Sequence, residues 1–86
     1  VASYRTKWYT YKQLSAVARL ARELGIYVTG LELCDRDAGG RHFMGAFGMN
    51  VVSKLADAGL SHKDAVRLLH MVDLFSAGDA ADAWEG

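Results

Sequence analysis

Cys34, Asp35, Asp37 and His42 fall within one nine-residue stretch. A thiol nucleophile with a histidine base needs only a third group to orient the base, so catalytic chemistry is within reach of this stretch. A lone cysteine near a histidine is, however, a chance expectation in 86 residues, and Cys34 continues an apolar alternation that points it inward. The expectation is a protein that is not an enzyme, with no catalytic residue, cofactor or metal. Asp35, Asp37 and Gly40 match the first, third and sixth positions of a calcium loop. Gly39 and Ala46 then occupy the fifth and twelfth, where an oxygen ligand and a bidentate Glu are required. The same glycine amides could cradle an anion beside Arg36 and Arg41, although a solvated turn is the plainer expectation. His62 and His70, eight residues apart, share a face too loosely to hold one metal ion.

Recognition chemistry is richer than catalytic chemistry. Tyr4, Trp8, Tyr9 and Tyr11 interleave with Arg5, Lys7 and Lys12. Such a mixture can stack on bases and meet phosphates of single-stranded nucleic acid, or lay rings over a core while the charges face water. The second arrangement is the one expected, with a ring surface larger than so small a core absorbs. Tyr4, Arg5, Lys7, Trp8, Tyr9 and Trp84 are therefore the expected binding residues of a small non-catalytic protein-protein interaction module. It would be adaptor- or inhibitor-like, binding another protein or pairing with its own copy as a homodimer.

Leu55-Ala56-Asp57-Ala58-Gly59-Leu60-Ser61-His62-Lys63-Asp64-Ala65 resembles the helix-turn-helix motif of DNA-binding proteins, with Gly59, Leu60 and Ser61 at the turn. Lys54 stands where that motif has an apolar residue. The resemblance implies an alternative function, a small transcription regulator using segment 51–70. Its second helix would enter the major groove and present His62, Lys63 and Arg67 to base edges.

The elements that must position these residues are read from periodicity. Apolar residues at Leu14, Val17, Ala18, Ala21 and Leu24, with Leu20 at the margin, mark a first helix. Thr10 and Gln13 form its capping box, and Gly25 followed by Ile26 forms its C-terminal cap. A second stripe runs through Met44, Phe47, Val51, Val52, Leu55 and Ala58. Gly45 and Gly48 push its helical start toward Gly48 or Met49, or else permit a close backbone approach. Gly59 closes that helix with Leu60 folding back, and Ser61 caps the next, whose stripe is Ala65, Leu68, Leu69, Val72 and Phe75. The period of two over 26–34, broken by Gly30, predicts a strand or two short strands pairing with 3–9 or 41–44. Residues 34–42 read as a loop or hairpin turn, and Asp79 begins a short last helix carrying Trp84.

The expected fold is α+β and mainly helical, one domain over 1–86. It has three main helices, a short C-terminal helix and a small two- or three-stranded β element from 3–9 and 26–33. Leu14, Val17, Leu24, Phe47, Val51, Leu55, Leu68, Leu69, Val72 and Phe75 form the expected core. Hydrophobic residues make up 51% of the chain, which argues against disorder, and no apolar run approaches the ~20 residues that span a bilayer. With one cysteine and no secretory leader pattern, the expected setting is cytoplasmic; a first residue of Val points to a trimmed or replaced start. Net charge is zero, but 1–43 carries +3 and 44–86 carries −3, which is ordinary scatter or a basic face.

Overall fold

A computed structural model describes residues 4–74. The expected C-terminal helix, Phe75 and Trp84 lie outside them. The order is a 3-10 turn at Tyr4–Thr6, strand β1 (Trp8–Thr10), helix α1 (Tyr11–Glu23), helix α2 (Gly30–Leu33), strand β2 (Gly45–Phe47), helix α3 (Gly48–Asp57) and helix α4 (His62–Leu74). The fold is α+β and mainly helical.

Local chemistry sets the helix ends. Thr10 and Gln13 exchange both capping-box hydrogen bonds at the start of α1. At its end Gly25 takes a φ of +84°; its amide bonds to Arg22 O and that of Ile26 to Ala21 O, the paired bonds of a Schellman cap. The α3–α4 connection repeats the device. Gly59 lies at φ +110°, Leu60 N–H returns to Leu55 O at 3.0 Å, and the Leu60 side chain is buried. Ser61 Oγ then accepts the amide of Asp64 at 3.2 Å.

The expected strand over 26–34 is not formed. Residues 26–29 belong to no helix or strand, and α2 follows. Thr29 and Glu32 close a capping box of their own: the Glu32 amide donates to Thr29 Oγ1 at 3.1 Å and the Thr29 amide to Glu32 Oε1 at 3.2 Å. This local bonding outweighs an alternation that has no sheet to join. The two-stranded ribbon is instead β1 against β2, antiparallel, with Trp8 opposite Phe47, Tyr9 opposite Ala46 and Thr10 opposite Gly45.

Leu14, Val17, Leu20, Leu55, Leu68, Leu69 and Val72 are buried, with Tyr9, Leu33 and Ala46 closing the core from the ribbon and α2. Leu20, expected at the margin, is sealed because α2 packs on the second flank of α1. Gly30 makes that approach close, since a Cβ there would meet Ser15 Cα at 2.9 Å. Four expected core or stripe residues are placed differently, among them Ala58, which is exposed at the end of α3. Leu24 is only half-buried at the helix end, whereas Phe47 is exposed because it stands in β2, opposite Trp8, and Met44 is exposed in the chain before that strand. The helical start at Gly48 agrees with the glycine argument.

Candidate functional site

The Cys34–His42 stretch is held together by structural bonds. Arg36 and His42 face each other in an antiparallel bridge, and Asp37 Oδ1 accepts the amides of Gly39 and Arg41, both at 2.9 Å. The anion in this glycine turn is thus its own carboxylate. Cys34 is buried and donates its thiol to Gly30 O at 3.3 Å. Burial pushes that thiol's pKa up, against the pull of the Lys54 ammonium and with the push of Asp35, which opposes the thiolate that a nucleophile needs. Among the described residues no three His, Cys, Asp or Glu side chains gather to share a metal ion.

Lys54 explains its own departure from the helix-turn-helix pattern. Its Nζ lies 2.8 Å from Cys34 O, 3.2 Å from Leu33 O and 3.4 Å from Asp35 Oδ1, so it caps the carboxyl end of α2. Asp35 Oδ2 in turn accepts the Phe47 amide at 3.3 Å and Asn50 Nδ2 at 3.0 Å. Phe47, at the N-cap of α3, has no side chain to cap the helix, and Asp35 instead holds the start of α3 through the Phe47 amide and the Asn50 side chain. An open groove of about 520 Å³ borders this cluster, but Asp35 and Lys54 are already spent on the fold.

On α4, His62, Lys63 and Arg67 are all exposed. His62 Nε2 meets Tyr4 Oη at 3.3 Å, with the two rings edge to face at 6.3 Å. The 3-10 turn therefore leans on the very start of the would-be recognition helix. Asp57 and Asp64 lie in the same hairpin, in a half of the chain that is net negative.

The expected N-terminal binding residues divide. Tyr9 is fully buried, and this corrects its assignment to a surface. Its phenol donates to Asp73 Oδ2 at 3.0 Å, while Lys7 Nζ sits 2.7 Å from Asp73 Oδ1. Tyr4 is half-buried and Arg5 exposed beside it, the guanidinium 6.0 Å from the Tyr4 ring centre. Trp8 is on the opposite face of β1 from Tyr9, 43% exposed. Its ring covers Gly45, where a Cβ would come within 2.7 Å of Cε2 and Cζ2, and stands edge to face with Phe47 at 5.1 Å.

Sequence reasoning missed three exposed apolar residues on or just before β2. Phe43 and Phe47 are nearly half exposed, and Met44 reaches 73%. Met44 O accepts the Tyr11 amide at 2.7 Å, which fixes its backbone beside the start of α1 and leaves its side chain in solvent. Met49, on the first turn of α3, is also exposed. The available signal was Gly45: a glycine opposite a threonine in a ribbon makes room for a large neighbouring ring. No described helix is long and apolar enough to cross a membrane. No known protein family, curated protein or solved structure matches the chain.

Proposed function

We propose that the chain is a small non-catalytic protein-interaction module that binds through the outer face of the β1–β2 ribbon. One observation carries this reading. The inner face of the ribbon is closed by Tyr9 and Ala46, whereas the outer face offers Trp8 and Phe47 to solvent, with Phe43 and Met44 exposed in the chain that leads into β2. Exposed rings and a thioether in water favour association, and Trp8 and Phe47 are of the types that anchor interfaces. Another protein or a second copy would complete the face. The reducing cytoplasm is the compartment proposed, on the ground of a single cysteine whose thiol is sealed.

Site-specific photo-crosslinking in the native host tests it, with a benzophenone side chain at position 44 and, as a control, at the exposed Glu23. Discrete protein adducts at 44 and none at 23 support the module. Adducts of doubled mass identify a second copy, and the absence of adducts at 44 removes the reading.

The second reading is DNA binding through α4, favoured by the exposure of His62, Lys63 and Arg67 on a Ser61-capped helix. Duplex binding at low salt that weakens with Lys63→Ala and Arg67→Ala would put it ahead, because phosphate contacts depend on such cations.

A further inference from the structure

We infer that the ribbon face takes an acidic polypeptide segment with apolar anchors; this deepens the proposed function and rests on it. The rim of the face is cationic. Lys12 follows Tyr11, whose amide holds Met44 in place. Arg41 lies two residues before Phe43 in the hairpin arm that leads into β2. Lys12 and Arg41 are exposed and make no ion pair among the described residues. The hairpin's own acid, Asp37, turns its Oδ1 inward onto two backbone amides, and Asp35 is committed to Lys54 and the start of α3. A partner that buries Met44 and Phe47 therefore meets positive charge around them, and Asp or Glu beside its anchors would be complementary.

The same features disfavour the two other occupants. In an isologous dimer both patches carry the same positive rim, so the two faces approach with like charge. Single-stranded nucleic acid needs open flat rings and a row of cations along its phosphates. Here Trp8 and Phe47 lie edge to face against each other, the most exposed member is the unringed Met44, and Lys7 is neutralised by Asp73.

Panning a random peptide display library on the intact chain, with the Met44→Asp variant as counter-selection, tests the inference. Circular dichroism checks that each variant keeps its fold. Enriched peptides are expected to carry aromatic or aliphatic anchors flanked by Asp or Glu. Their affinity should fall with added salt, and about tenfold in the double variant Lys12→Glu with Arg41→Glu, the order expected for two exposed pairs turned repulsive. Enriched peptides without acids, or indifferent to the charge reversals, overturn the acidic partner and leave the interaction module standing. An oligothymidylate that binds more tightly than the best peptide overturns it in favour of nucleic acid. No enrichment above the Met44→Asp background removes the module itself.

Discussion

At Gly48 a Cβ would collide with the carbonyl oxygen of Tyr4, a backbone atom that cannot step aside. Gly25 presents the opposite case, with open space around it but a φ of +84°. Gly48→Ala should therefore cost about 1–3 kcal/mol through forced separation of α3 from the 3-10 turn, and Gly25→Ala about 1–2 kcal/mol through backbone strain alone. Urea denaturation measures both. Only Gly48→Ala should also disturb the aromatic signals of Tyr4 and His62, so unchanged signals in that variant would contradict the close approach. The sequence showed that Gly45 and Gly48 were out of place in a helix. It could not show what approaches them, since Tyr4 and Trp8 are brought there by pairing across some forty residues of chain.

Among the elements, α2 is closed at both ends by polar side chains. Thr29 closes its amino end and Lys54 its carboxyl end. Thr29→Ala should cost about 1 kcal/mol and, because the Cys34 thiol donates to Gly30 O within the same turn, should speed reaction of that thiol with a disulfide reagent. A wild-type thiol that already reacts at the rate of a free cysteine would refute the sealed site. Lys54→Met keeps the stem but leaves the carbonyls of Leu33 and Cys34 without their charged donor. About 1–2 kcal/mol should be lost, at the low side for a charged bond because Lys54 is only partly buried; an unaffected urea midpoint would deny it a capping role. The long helices were legible because their stripes and caps are local, as Thr10, Gly25, Gly59 and Ser61 demonstrate. Residues 26–33 were misread because Thr29-Gly-Leu-Glu32 satisfies a capping box and a period of two at once, and only tertiary packing decides between them. The outer ribbon face was half legible for a similar reason: a three-residue strand is too short for its alternation to reveal that Trp8 faces out and Tyr9 in.

At the scale of the whole molecule, the Tyr9–Asp73–Lys7 cluster joins the first strand to the last turn of α4 and so ties together the two ends of the described chain. Burial first, then the hydrogen bond to Asp73 and its negative charge, hold the Tyr9 phenol well above its ordinary value of 10.0. The folded protein thus keeps a proton that the unfolded chain surrenders above that pH. The contribution of Tyr9 is complete below pH 10.0 and drains away as the pH climbs past it, at up to about 1.4 kcal/mol per pH unit. Tyr9→Phe removes the titrating group along with its bond. It should cost about 1 kcal/mol at neutral pH, and the gap to the wild type should close and then reverse as alkali is added. Denaturant titrations of the two proteins across this range provide the check. Parallel profiles would mean that the Tyr9 phenol is not the group that couples the ribbon to α4.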